Sequence, residues 1–253
     1  MEDAVFDLLH DLDDSHWWIL GRQTIIGGLA DELLKRERAS VIVDVGCGTG
    51  GTLASLSGRY TCIGVDPSER AIGYARVKYP TLDYRVGTVP GAVAETMPHT
   101  SLFLMLDILE HVQKDAELLR SVVATASSGS NILITVPANL NLWSNHDVTA
   151  GHLRRYDLKT LSALWSDLDV DVLLNSYFNA RLYPIIWAIR LIGRILGQSA
   201  GAHGTDFSLP PKPANELLKR VFSGELHRLL SCLNGSAQGY STGTSIMAVL
   251  KKR

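Results

Sequence analysis

Hydrophobic and polar positions along the chain follow two alternating rhythms. Apolar side chains at helical spacing, Ile25, Ile26, Leu29, Leu33 and Leu34, predict a helix over Gln23–Arg38, with Trp17, Trp18 and Arg22 ahead of it. Val41–Val45 is a continuous apolar, β-branched run that stops at Gly46, the pattern of a strand buried on both faces. A short helix over Thr52–Leu56, a second strand over Thr61–Val65 and a helix over Glu69–Lys78 follow. Asp66 or Ser68 can cap that helix, with Pro67 in its first turn. Leu82–Val86, Leu102–Leu106 and Asn131–Val136 read as the third, fourth and fifth strands, and Pro137 stops the fifth. Between the last two, Lys114–Ala126 places Leu118, Leu119, Val122 and Val123 on one helical face. Asp157 then caps a helix over Leu158–Trp165, and Val170–Leu174 and Ser245–Leu250 are the closing strands.

This alternation predicts a doubly wound, Rossmann-like α/β fold with seven strands, the last one antiparallel. The chain reads as one domain, 1–253, with a helical insertion at 181–233 between the last two strands. Inside the insertion, Tyr183, Trp187, Arg190 and Arg194 share a strip beside a wide apolar face, and Lys212–Leu233 aligns Leu218, Phe222, Leu226, Leu229 and Leu233. The Gly- and Pro-rich stretch Gly197–Pro213 separates them as a loop. An insertion at this place emerges on the ligand side of the sheet, so it is expected to act as a lid over an acceptor pocket. Arg and aromatic residues bordering an apolar face also permit peripheral membrane contact through 181–197.

Composition narrows the classes. With 253 residues and 46% hydrophobic content, one substantial core can form. Lys and Arg number 24 against 26 Asp and Glu, a net of −2, which gives no electrostatic case for nucleic acid. Cys47, Cys62 and Cys232 make neither a disulfide framework nor a zinc spacing, so no metal is expected, and they suit a reducing cytoplasm. Residues 1–14 lack the basic start of a secretory signal, and Leu182–Gly197 is too short and too charged to span a bilayer.

The chemistry concentrates where the first strand meets its helix. Asp44-Val45-Gly46-Cys47-Gly48-Thr49-Gly50-Gly51 is a turn in which a ligand can approach the backbone closely. Asp66 ends the second strand, where a carboxylate can accept both hydroxyls of a ribose. A nicotinamide dinucleotide fits Gly46, Gly48 and Gly51. S-adenosylmethionine fits the longer pattern, because Asp44 can meet its ammonium and no phosphate is involved.

Val43–Gly50, together with Leu106-Asp107-Ile108-Leu109-Glu110-His111-Val112, resembles the motifs of class I S-adenosylmethionine-dependent methyltransferases. The likeness is to their type 11 branch, which includes the quinone-pathway O-methyltransferases and related bacterial small-molecule enzymes. It implies that Asp44, Gly46, Cys47, Gly48 and Gly50 line the methionine part of the donor and that Asp66 and Pro67 hold the ribose. It also implies Thr88 and Val89 near the adenine and Asp107 as a further cofactor contact, with S-adenosylhomocysteine as product. Ahead of the first helix, Trp17 and Trp18 either pack on the sheet edge or flap over the methionine tail, with Arg22 meeting its carboxylate. An NAD(P)-dependent oxidoreductase and a non-catalytic S-adenosylmethionine-binding protein are the alternatives.

Transfer to an oxygen, ahead of a nitrogen, needs a base for the acceptor's proton. His146, oriented by its neighbour Asp147, is the candidate. His111, Arg154 and Tyr156 are candidate contacts to a small-molecule acceptor with an apolar body.

Overall fold

The computed structural model describes residues 3–35, 39–195 and 207–253. Seven strands form one sheet in the order β3-β2-β1-β4-β5-β7-β6. They are β1 (Val41–Val45), β2 (Thr61–Asp66), β3 (Asp83–Val86), β4 (Thr100–Leu106), β5 (Asn131–Pro137), β6 (Val170–Phe178) and β7 (Ser245–Lys252). All pairings among β1 to β5 are parallel, and β7 runs antiparallel between β5 and β6. The expected seven-stranded mixed sheet is present, and with it goes the dinucleotide reading, which required a second parallel nucleotide-binding half.

Each central strand alternates its side chains between two apolar layers. On one face Val43, Phe103, Ile132 and Ala248 pack with α5 (Asp115–Thr125). On the other, Ile42, Leu104, Leu133 and Val249 pack with α2 (Trp17–Leu33) and α3 (Gly51–Leu56). α4 (Glu69–Lys78) covers β2 and β3, and Ser68 is its cap, with the side chain accepting from the Ala71 N–H at 3.2 Å.

The N-terminal region differs from expectation. α1 (Asp3–Leu12) precedes everything predicted, and α2 begins at Trp17, so both tryptophans and Arg22 lie inside a helix. His16 is the cap: its Nδ1 accepts from the Trp18 N–H at 3.3 Å. The end predicted for this helix includes residues 36–38, which lie outside the described residues.

After β5 the chain makes an excursion through α6 (Asn145–Ala150) and returns to the point it left. The Asn139 N–H donates to the Tyr156 carbonyl at 3.1 Å, and the Tyr156 N–H donates to the Pro137 carbonyl at 3.0 Å. α7 (Leu158–Ser162) follows, capped by Asp157 as predicted and continued by a 3₁₀ turn to Trp165.

The insertion contains α8 (Tyr183–Ile195), α9 (Lys212–Ser223) and α10 (Leu226–Leu233). The stretch predicted over Lys212–Leu233 is thus two helices, broken at Gly224 and Glu225. The buried Glu225 Oε1 accepts from the Ala180 and Arg181 N–H groups at 2.9 and 2.8 Å, fastening the end of the insertion to its beginning. Phe222 of α9 is fully buried between Trp17 and Phe178, and Leu226 of α10 lies over Gly28 of α2. Most of residues 197–213 lie outside the described residues.

Candidate active site

The strand order reverses its direction between β1 and β4, and a cavity of about 860 Å³ opens at the carboxyl ends of the parallel strands. Its floor is the turn Gly46-Cys47-Gly48. The Gly46 N–H (2.7 Å) and Cys47 N–H (3.1 Å) both donate to the Val65 carbonyl, which ties the turn to β2. Gly48 has φ +54°, and nothing lies within 4 Å of where a Cβ would stand, so the turn leaves open space above its backbone. Asp66 closes this half: Oδ2 accepts from the Gly48 N–H at 2.9 Å and Oδ1 from the Ser68 N–H at 2.8 Å. Both oxygens are thereby aimed, with lone pairs left for further donors.

Asp44 is 2% exposed and its Oδ1 has no hydrogen-bond partner among the described residues. Burial, opposed by Arg22 and assisted by Asp66, pushes its carboxyl up to about 7. A cationic donor placed here would satisfy the orphaned oxygen and restore the charged form. Arg22 lines the same region. It pairs with Asp107 (2.7 Å), donates to Thr135 Oγ1 (3.1 Å) and stands 5.0 Å from the Trp18 ring, and its Nε has no partner among the described residues. Asp107 sits at φ +55° immediately after β4. Burial also raises the Cys47 thiol well above its ordinary value, so it presents a neutral surface.

The other half of the cavity is walled by His111, His146 and His152, with Ile186 and Ile189 of α8 and Phe207. His152 Nδ1 lies 2.8 Å from Asp147 Oδ1. Asp147 is fully buried, and it also accepts from Arg155 Nε at 2.7 Å and from the Ser144 N–H at 2.8 Å. The His152 and Arg155 contacts hold its carboxyl well below the usual range against the effect of burial. His152 stacks edge-on with His111 at 4.9 Å and with His146 at 6.0 Å. Burial, then the neighbouring His152, drive the His111 imidazole down to about 4, so it is neutral at physiological pH.

Glu110, absent from the sequence expectations, is the fourth group. It is fully buried at the cavity wall, neither carboxylate oxygen has a partner among the described residues, and burial beside Asp107 raises it well above its ordinary value. Glu110, His111 and His152 bring one polar atom each to within 4.8 Å of one another.

A family model described as a methyltransferase domain matches residues 20–175, more than half of the chain, and takes in the glycine turn, Asp66 and the wall from His111 to His152. The chain belongs to the S-adenosylmethionine-dependent methyltransferases. Two curated relatives are the norajmaline N-methyltransferase of Rauvolfia serpentina, 26% identical over 174 residues, and the ubiquinone biosynthesis O-methyltransferase of Nitrosomonas europaea, 29% identical over 110. The matches cover 62% and 42% of this chain and 58% and 43% of those proteins, so this methyltransferase aligns with about half the length of each. Among solved structures, a plantazolicin methyltransferase, BpumL, crystallised with a triazolic desmethylPZN analog and SAH, superposes with a TM-score of 0.58. It is 16% identical, covering 99% of this chain and 91% of that one. A SAM-dependent methyltransferase from Archaeoglobus fulgidus gives 0.55 at 18% identity, covering 91% and 94%. At these identities the likeness is one of fold.

The methyltransferase's predicted site residues divide into two groups. Asp44, Gly46, Cys47, Gly48, Asp66, Pro67, Asp107 and Arg22 line the cavity, as do His146 and His111. Gly50, Thr88, Val89, Asp147, Arg154 and Tyr156 do not. Gly50 is needed for a different reason: at φ +82° its missing side chain leaves room for the Tyr84 ring. Thr88 is exposed and Val89 is buried in the core beside Val93. Arg154 and Tyr156 both engage Asp115 at 2.7 Å and so hold the start of α5 instead of facing an acceptor. Asp147 orients His152 and not His146. Of the insertion, α8 and Phe207–Ser208 reach the cavity, whereas α9 and α10 are packed on α2.

The residues present fit the donor. An orphaned buried carboxylate, an arginine whose Nε has no partner among the described residues, an open glycine turn and a doubly aimed carboxylate all line one cavity.

Proposed function

We propose that the protein methylates a hydroxyl oxygen of a small acceptor with an apolar body, and that His152, held by Asp147, takes the hydroxyl proton. In the donor half, Asp44 meets the ammonium, Arg22 Nε the carboxylate and Asp66 the ribose hydroxyls. S-adenosylmethionine supplies an already activated methyl group, so the chain's tasks are alignment, exclusion of water and proton removal.

The observation that carries the base assignment is the buried Asp147–His152 pair. A carboxylate on Nδ1 fixes the tautomer that leaves Nε2 as an acceptor and stabilises the imidazolium formed on proton transfer. Arg155 keeps that carboxylate ionised and immobile. A neutral amine would need no such arrangement, which favours oxygen over nitrogen. Ile186, Ile189, Leu142 and Phe207 give the acceptor half its apolar walls, and α8 is the part of the insertion suited to cover it. His146, edge-on to Phe207 at 5.3 Å, belongs to the same wall as an acceptor contact.

The test is transfer of isotopically labelled methyl to a panel of phenols, alcohols and amines. His152→Gln and Asp147→Asn should lower turnover by a factor of about 10² to 10⁴. Affinity for S-adenosylhomocysteine should stay within about twofold. Label found on nitrogen alone, or turnover unchanged in folded His152→Gln, refutes the proposal.

A further inference from the structure

α8 carries more apolar surface than the cavity uses. Ile186 and Ile189 line the cavity, and the remainder of the helix presents Ile185, Trp187, Leu191 and Ile192 to solvent, with 39–59% of each accessible. A helix with one apolar face on the protein and a second facing water is not explained by packing within the monomer.

Charge says what fits this second face. Residues 181–228 contain seven Lys and Arg against three Asp and Glu, a net of +4. The whole chain is −2, so the remainder carries −6. Of the three acids, Glu225 is buried on the Ala180 and Arg181 N–H groups and Glu216 is paired with Lys219 at 3.0 Å. The exposed apolar face therefore belongs to a strongly basic segment of an acidic protein. A second copy docking there by two-fold symmetry would bring +4 against +4. An anionic bilayer offers the opposite sign together with an apolar layer for Ile185 and Ile192 and an interfacial position for Trp187.

We propose that α8 docks this protein on an anionic lipid surface, with the cavity mouth turned toward the lipid. The same helix then has its inner residues on the acceptor site and its outer residues in the headgroup region, so an amphiphilic acceptor passes from one to the other without crossing water. That last step rests on the acceptor reading above, but docking itself does not and is measured without turnover. No helix among the described residues is long and apolar enough to cross a membrane, so the attachment is peripheral.

The experiment is flotation of the full chain with vesicles of phosphatidylglycerol and phosphatidylcholine, against phosphatidylcholine alone. The bound-to-free ratio should be about tenfold or more higher on the anionic vesicles and should fall with added salt. Trp187→Phe should remove the blue shift in tryptophan emission that accompanies binding. Ile185→Glu with Ile192→Glu should lower vesicle binding about tenfold or more, with calorimetric affinity for S-adenosylhomocysteine unchanged. A monomer that ignores anionic vesicles overturns the proposal. So does a dimer that these same two substitutions dissolve, which would assign the face to a second copy. If docking fails while His152→Gln still loses turnover, only the lipid reading falls; the reverse result removes only the base assignment.

Discussion

Asp44→Asn should make the apoprotein more stable at pH 8 and a poorer binder of its cofactor. The folded Asp44 carboxyl is held at about 7 against an ordinary 3.8, chiefly by burial. The folded chain therefore keeps a proton that the unfolded chain releases, so stability falls as pH rises from about 4 to about 7, and the full deficit persists above that. The distance from 3.8 to about 7, at about 1.4 kcal/mol per pH unit, sets a ceiling of about 4 kcal/mol. Asn removes the charge but leaves an amide to be satisfied in the same place, which reduces the net gain to about 1–2 kcal/mol at pH 8. At pH 4.5 the two proteins should differ little. Urea denaturation of cofactor-free protein at both pH values checks this. Cofactor binding runs the other way: the ammonium favours ionised Asp44, so wild-type affinity should weaken toward about tenfold per pH unit below pH 7. The Asn variant should bind more weakly and without that slope. A stability difference that is the same at pH 4.5 and pH 8, or a wild-type affinity flat across pH 7, would refute the argument.

Asp66→Ala should weaken S-adenosylhomocysteine binding by about 2 kcal/mol, about 30-fold in Kd, because it removes ribose contacts and releases the Gly48 N–H. Calorimetry on the folded variant checks it. Gly50→Ala should destabilise by more than the roughly 1–2 kcal/mol of a left-handed backbone alone, since the new methyl overlaps Tyr84 Oη. In thermal melts Tyr84→Phe should recover part of that loss.

The sheet was legible because its strands are short apolar runs bounded by Gly, Pro and Asp, and every predicted strand was found within a few residues. Asp44 and Asp66 were legible for the same reason, as polar residues at strand ends where a buried run must stop. α1 is not among the predicted elements although Phe6 and Leu9 are at helical spacing, because the Asp residues of the terminus leave too short an apolar pattern to fix a period. The start of α2 was misplaced because His16 is not among the usual capping residues, yet its ring does the work of one. Pairing Asp147 with His146 failed for a geometric reason. Adjacent residues on a helix point about 100° apart, and Gly151, in the left-handed conformation, turns the chain so that His152 returns onto Asp147. Arg154 and Arg155 differ similarly: neighbours in sequence, they reach Asp115 and Asp147 on opposite sides of their segment. Glu110 carries no local signal, since the Arg22 and Arg155 charges that act on its buried carboxyl come from distant parts of the chain.

The excursion between Ala138 and Tyr156 leaves and re-enters the sheet through one hydrogen-bonded neck. His146, Asp147, His152 and Arg155 all lie within it, whereas the donor-side residues lie wholly outside. The residues proposed above to handle the proton are thus carried on a closed cassette whose ends are fixed by backbone groups that any sequence supplies. Doubling the length of such a loop adds only about 0.6 kcal/mol in closure entropy. This part of the acceptor wall can therefore be exchanged as one unit while the donor half and the α8 wall are left intact.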